Sequence, residues 1–467
     1  MKKSIALFAA LAVVSLQAAA PKYVFLFIGD GMSTPQRMVA EEFARLTGRE
    51  AFAMNALPYQ ANTRTKSANS IITDSAAAAT AIACGEKTNH GMLGVLPDGT
   101  HVESVAEVAK KSGRKVGIVT TVTIVHATPA GFYAHNKNRG LAYQIGLDLL
   151  ASGFDYFAGG GVYDKFDDAK DPLYRGNVFE LARKAGYAVN LDDRAGWAAL
   201  KPGSKSWSVF GARGMQFAID ADGTEPTLAD LVAKGVEVLD NPNGFFLMCE
   251  GGKVDYAGHA NDGATDLREV LALDDAVKVA LAFQEKHPDE TLVVATGDHE
   301  TGGLSMGFAG TGGRFRVEML ANQKISVEKF SNDIKKLISE RKGEIEFADV
   351  KPLLTEKFGF VFDKSAKDDP MRITAAEERS LVQAFRKDVE NVRMKLRDTT
   401  AHDVARLYVF AQAVKNVLGA HAGVGWSSGS HTALPTLTTA KGPGAEILVG
   451  MQENTDLGRR LKELLAK

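Results

Sequence analysis

Cysteine is nearly absent from this chain: Cys84 and Cys249 are the only two among 467 residues. That excludes a disulfide scaffold. It also excludes a zinc site built on sulfur, which needs more thiolates at closer spacing. One Cys closes an alanine-rich stretch and the other an apolar one, so both read as buried free thiols, a single disulfide between them being the other reading. A dominant charge is missing too. Lys and Arg number 55 against 57 Asp and Glu, a formal net charge of −2. No basic field therefore marks nucleic acid as the partner. Beyond the N-terminal twenty residues no apolar run reaches the roughly 18 residues that a bilayer span requires. Internal repeats and low-complexity segments are absent as well.

What is present begins with the N-terminus. Lys2 and Lys3 precede an apolar run from Ile5 to Leu16, followed by Ala18-Ala19-Ala20. This is the pattern of a signal peptide over residues 1–20, and it predicts a periplasmic or secreted protein cleaved near residue 20. The whole chain is 45% hydrophobic and too long for one small core.

Apolar runs at 23–31, 115–122, 245–252, 291–300 and 446–451 read as buried parallel strands. Between them, 102–113, 177–186, 228–239 and 266–287 carry apolar residues at helical spacing. The alternation predicts an α/β fold: a large, mostly parallel central sheet with helices on both faces. From 305 to 425 the texture turns charged and helical. We read 21–304 and 426–467 as the core and 305–425 as a cap-like insertion; an extension of the main domain is the other reading.

The stretch "ITDSAAAATAIACG" at 72–85 turns from apolar to nearly pure alanine at Asp74-Ser75. Ala is the best helix former, so a helix begins there. Asp and Ser are favoured caps. A hydroxyl at a helix mouth also faces free N–H groups, a natural seat for phosphate. Both readings stand at this point.

Three predicted strands end in an acid: Asp30, Glu250 and Asp298, the last followed by His299. Ligands bind outside the carboxyl ends of strands in such sheets. Three acids on one edge repel unless a cation holds them. Asp255 and His259 lie one helical turn apart, and His431 arrives from far down the chain in "SSGSHT". Mixed nitrogen and oxygen ligands suit Zn²⁺. Asp30, Glu250 and the hydroxyl of Thr128 form an all-oxygen set better suited to Mg²⁺. Arg139, in "HATPAGFYAHNKNRG", is a candidate for a bidentate grip on phosphate or carboxylate, though spacing alone does not single it out.

Six motifs together resemble the alkaline phosphatase family: "GDGM" (29–32), "TDSAAAATA" (73–81), "HATPA" (126–130), "EGGKVDYAGH" (250–259), "ATGDHETGG" (295–303) and "GWSSGSHT" (425–432). They follow the family order across most of the chain. The resemblance implies a metal-dependent phosphomonoesterase with Ser75 as a nucleophile that becomes phosphoserine. It implies Asp255, His259 and His431 around one Zn²⁺. By the same resemblance Asp30, Asp298, His299 and the Ser75 oxygen would surround a second, Asp30, Thr128 and Glu250 would hold Mg²⁺, and Arg139 would clamp the phosphate.

Two positions vary in the family. His126 lies beside the third site, where members carry Asp or His, so that site is open to Mg²⁺ or Zn²⁺. Tyr256 stands near the phosphate where relatives carry Lys, His or Trp. It brings no positive charge, which predicts a looser hold on phosphate. The implied substrates are small phosphate monoesters, and a homodimer is a family expectation. A phosphodiesterase or sulfatase of the same superfamily is the alternative; those enzymes commonly use Thr or a modified Cys where this chain has Ser75. A non-catalytic metal-binding protein is the remaining one.

Overall fold

Every side chain of β1 (Tyr23–Gly29) is buried, and the two faces of the strand feed two different cores. Tyr23, Phe25 and Phe27 join an apolar cluster on one side of the sheet; Val24, Leu26 and Ile28 join a second cluster on the other. That is the mark of a strand covered on both faces, and it explains an unbroken apolar run rather than an alternating one. The structure, a computed structural model, describes residues 20–161, 165–397 and 409–466. The predicted leader, 1–20, lies outside them but for its last residue.

In chain order the next strands are β2 (Tyr59–Arg64), β3 (Lys115–Thr123), β4 (Tyr156–Gly160), β5 (Ala188–Leu191) and β6 (Ser206–Val209). There follow β7 (Phe245–Gly251), β8 (Thr291–Gly297), β9 (Glu300–Thr301), β10 (Leu304–Met306), β11 (Val424–Trp426), β12 (His431–Thr432), β13 (Thr436–Lys441) and β14 (Gly450–Glu453). Ten of these form one sheet in the order β14-β2-β13-β8-β1-β7-β3-β4-β6-β5. All neighbours are parallel except β13, which runs antiparallel to β2 and β8. Helices cover both faces. One cluster draws on the helices Thr34–Leu46, Leu228–Leu239 and Gly263–Gln284, the other on Ser75–Cys84, Ala142–Ser152 and Asn454–Leu465. The chain is an α/β protein with a mostly parallel sheet.

The predicted strand at 446–451 is displaced. Ala445–Ile447 winds a 3-10 turn after Gly444, which sits at φ 85°, and the strand starts only at Gly450. Of the apolar run, Leu448 is buried while Val449 and Met451 are exposed, so β14 is a solvent-facing edge strand. Cys84 and Cys249 are free and lie in the clusters on opposite faces of the sheet.

β10 pairs with β11, so the chain leaves and re-enters the body at adjacent strands. Between them it forms the helices Val327–Glu340, Phe347–Phe358, Ala375–Arg397 and Val409–Ala422. Phe330, Phe358 and Phe410 from this segment join the cluster that also holds Phe25 and Phe27.

Candidate functional site

Three neighbouring strands, β8, β1 and β7, end at the same level, and β3 runs beside them to Thr123. Gly29 stands beside Gly251 and Gly297, and Glu250 beside Ile28 and Thr120. This register places Asp30, Asp298 and Glu250 side by side, all fully buried. Gly31 makes the turn after β1 at φ 75°; a Cβ there would lie 2.9 Å from Asp255 Cα, so only glycine lets these segments approach.

The alanine helix runs from Ser75 to Cys84, buried throughout. Asp74 caps it, its Oδ1 accepting from Ala77 N at 3.0 Å, and Gly85 ends it in the left-handed conformation. Small side chains serve close approach: a Cβ on Gly131 would meet Ala79 Cβ at 2.7 Å. Ser75 is therefore the first helical residue, and its Oγ lies 3.2 Å from His299 Nε2. Asp74 has a second task. Its Oδ2 accepts from Gly91 N at 3.0 Å and from Arg139 Nη1 at 3.1 Å.

Three groups of side chains converge at these strand ends, their ligand atoms within 4.8 Å of one another in each: Asp255, His259 and His431; Asp30, Asp298 and His299; Asp30, His126 and Glu250. In the first, His259 Nδ1 faces Gly429 O at 2.9 Å and His431 Nδ1 faces Thr73 O at 2.8 Å. A carbonyl only accepts, so both protons sit on Nδ1 and both Nε2 lone pairs point inward. They face each other at 3.2 Å, with Asp255 Oδ1 at 3.4 and 3.6 Å. Three lone pairs so placed repel unless a cation lies among them. The fold arranges this pairing through the β9–β12 ladder and through Asn261, whose Nδ2 donates to Ser428 O at 2.8 Å.

The second and third groups carry the same signature. Asp30 Oδ1, Asp298 Oδ2, Glu250 Oε1 and His126 Nδ1 are buried without a hydrogen-bond partner. Burial, then the neighbouring carboxylates, pushes the Asp30 carboxyl well above its ordinary range; burial also raises Asp298, with Asp255 and Glu250 adding to it. Burial holds His299 well below the usual imidazole value, with His431 next. The orphaned carboxylate oxygens of these two groups, and the inward-facing imidazole nitrogens and Asp255 carboxylate of the first, fit divalent cations. Thr128 Oγ1 lies 3.1 Å from Asp30 Oδ2, at the third.

Arg139 Nη2 lies 3.1 Å from His126 Nε2. Arginine only donates, so Nε2 accepts and the ring proton sits on Nδ1, which faces Asp30 Oδ2 at 3.5 Å and Glu250 Oε1 at 3.6 Å. To ligate a cation through Nδ1 the ring must give up that proton and the Arg139 contact. Tyr256 is packed edge-on against His126, centroids 6.1 Å apart, and burial raises its phenol above the ordinary range.

The site also uses residues that sequence reading missed. Thr301 Oγ1 donates to Asp255 Oδ1 at 2.5 Å, and Thr120 Oγ1 donates to Glu250 Oε2. Buried Glu300 accepts from Gln36 Nε2, Gly303 N, Leu304 N and Thr432 Oγ1, tying β9 to β12. Thr301 and Glu300 sit inside "GDHETGG", where adjacency to His299 was the available signal; Thr120 left none.

The family model for alkaline phosphatase matches residues 21–155 and 177–466. The chain is 30% identical to alkaline phosphatase 4 of Bacillus subtilis, over 95% of this chain and 88% of that one. Among solved structures it resembles the cold-active alkaline phosphatase of a psychrophilic Shewanella, with TM-score 0.79 and 26% identity over 95% of this chain and 100% of that one. It also resembles a histidine-to-aspartate mutant of TAB5 alkaline phosphatase with Mg bound in its M3 site, with TM-score 0.65 and 25% identity over 96% and 99% of the two chains.

Proposed function

The chain belongs to the alkaline phosphatase family, and from that premise we propose that it is an exported enzyme hydrolysing small phosphate monoesters through a phosphoserine on Ser75. The observation that carries this reading is the convergence, around a serine at a helix mouth, of three groups of ligand atoms, two of them holding buried atoms without a hydrogen-bond partner.

We assign Zn²⁺ to Asp255, His259 and His431, and a second Zn²⁺ to Asp30, Asp298, His299 and Ser75 Oγ. Mg²⁺ falls to the oxygens of Asp30, Glu250 and Thr128. The Arg139–His126 bond ties up His126 and favours Mg²⁺ over Zn²⁺ there. Cations so held supply Lewis acidity, lowering the pKa of the attacking oxygen and neutralising charge on the leaving one. Ser75 Oγ forms the bond to phosphorus while the ester oxygen departs on the opposite side. Backbone N–H groups at the helix mouth and the Arg139 guanidinium hold the non-bridging oxygens. Asp74 positions that guanidinium. Water then displaces Ser75 from phosphorus in a second step and releases inorganic phosphate. Tyr256 supports this site without adding positive charge.

Segment 305–425 is retained as an insertion, supported by its departure and return at the paired β10 and β11. Export rests on the leader pattern, and among the described residues no helix is long and apolar enough to cross a membrane. The test is turnover of p-nitrophenyl phosphate by the purified protein before chelation, after it, and after Zn²⁺ and Mg²⁺ are restored. Turnover that is absent throughout, or indifferent to exhaustive chelation, removes the reading.

A further inference from the structure

A cavity of about 380 Å³ opens beside the site, lined among others by Phe217, Tyr256, His259, Ala260, Ser326 and Glu328. It shares His259 with the first ligand group and Tyr256 with the phosphate side. Ser75 is not in its lining and stands instead against the other group, on His299. In an in-line displacement the leaving oxygen lies opposite the attacking one. Resting on the phosphatase reading above, we propose that this cavity receives the leaving group of the substrate and selects flat, uncharged ones, such as an aryl or nucleoside moiety, over polyanionic ones.

The walls argue for the shape. Phe217 and Tyr256 present rings, and Ala260 keeps the floor apolar. Phe217 is fixed from behind: Lys253 Nζ sits 3.7 Å from its centroid and donates to Met215 O at 2.6 Å. That ammonium is buried behind the ring among Glu269, Glu328, Glu225 and Asp220, whose carboxylates outnumber it, and it is not among the residues that line the cavity.

The polar rim argues for the charge. Ser326 Oγ is engaged as the cap of the helix Val327–Glu340, accepting from Lys329 N at 3.1 Å. Asp262 also lines the cavity, but its two oxygens accept from Thr265 N, Thr265 Oγ1, Gln323 Nε2 and Val327 N. Glu328 remains, exposed and without an ion pair among the described residues. It is the exposed negative charge of the lining, supplied by the segment between β10 and β11, while the Asp262 carboxylate lies buried. A leaving group carrying further phosphates meets repulsion there; a neutral one does not.

The test compares kcat/KM for AMP, ATP and glycerol 3-phosphate in the metal-loaded full chain. Phe217→Leu keeps an apolar side chain in the fold but removes the ring, and the AMP to glycerol phosphate ratio is expected to fall about fivefold to tenfold. Glu328→Gln is expected to raise the ATP to AMP ratio about threefold to tenfold at low ionic strength, an increase that shrinks at about 0.5 M salt. A ratio that stays within about twofold of wild type in either variant overturns the proposal. If the wild-type protein turns over none of the three esters, the phosphatase reading itself falls, which separates the two failures.

Discussion

Arg139→Ala removes a donor fork that the fold holds in place before any phosphate arrives. Nη1 is fixed on Asp74 and Nη2 on His126, each at 3.1 Å, and the backbone N–H is bonded to Gly91 O at 2.8 Å. Each terminal nitrogen keeps one further N–H for a ligand. A hydrogen bond to a charged acceptor contributes about 1.5–3 kcal/mol, so the pair contributes about 3–6 kcal/mol. Little rotamer freedom is left to lose on binding. At about 1.4 kcal/mol per factor of ten, kcat/KM should fall about 10² to 10⁴-fold and the inhibition constant of phosphate should rise in step. Stability should hardly move. The Asp74–Arg139 pair is partly exposed, at 19% and 30% for the two side chains, and Asp74 keeps its bonds from Ala77 N and Gly91 N. The pair should therefore contribute less than about 1 kcal/mol to stability. Arg139→Lys restores the charge but not the fork and should recover part of the loss. The measurements are kcat/KM on p-nitrophenyl phosphate, phosphate inhibition, bound zinc and thermal midpoint for the three proteins. Phosphate inhibition within about threefold of wild type in the Ala variant would show that another group holds the anion, and the pre-organisation argument would fail.

Ser75→Ala should keep its helix, since Ala is the best helix former and the Asp74 cap is untouched, yet trap no labelled phosphate. Label on any other residue of the wild-type protein refutes the assignment. His299→Ala should abolish phosphoenzyme formation, whereas His259→Ala and His431→Ala should impair both chemical steps. Each should lose about one bound zinc, read by metal analysis, and equal zinc in all four proteins contradicts the grouping. Glu269 carries a pH prediction: burial raises its folded pKa to about 7. The folded state then keeps a proton that the unfolded state has lost, so stability falls as pH rises from about 4.5 to about 7. Glu269→Gln retains the acceptor for Ala218 N–H, at 2.6 Å in the parent, and should be about 3 kcal/mol more stable than wild type above pH 7 but no more stable near pH 4.5. Urea unfolding at the two pH values checks it, and an unchanged pH slope refutes it.

Local chemistry was legible in the chain itself. Asp74, Ser75 and Gly85 announce the cap, start and end of a helix whatever surrounds them, because capping is settled within a turn of backbone. The buried runs at 23–31, 115–122, 245–252 and 291–300 announce strands β1, β3, β7 and β8 because burial on both faces demands apolar residues at every position. The same rule hides β2 and β13. "YQANTR" and "TLTTAK" carry Asn, Gln and Thr, and the Thr63–Thr438–Thr296 hydroxyls satisfy one another only once three strands are laid side by side. The run at 446–451 misled because apolar content alone does not distinguish a strand from a turn that buries one leucine.

The acids at strand ends, the histidines in turns and the hydroxyl at a helix mouth could each be named from sequence, and ligand chemistry set Asp30, Glu250 and Thr128 apart; the full division into groups came there only from a family resemblance. Within the chain that division is a tertiary fact. The sheet order β8-β1-β7-β3 is not the chain order, so Asp298, Asp30 and Glu250 become neighbours only when crossovers bring strands from far apart into one register. His431 meets His259 because β12 pairs with β9 across the whole intervening segment. Arg139 is singled out from the other arginines by Asp74 and His126, contacts that spacing does not encode. Helix caps and strand burial are set by neighbours within a few residues, and the amino-acid sequence therefore determined them directly. Cation sites and the anion grip need ligand atoms converging to a few ångströms from distant segments, and only the packed sheet and its crossovers decided that.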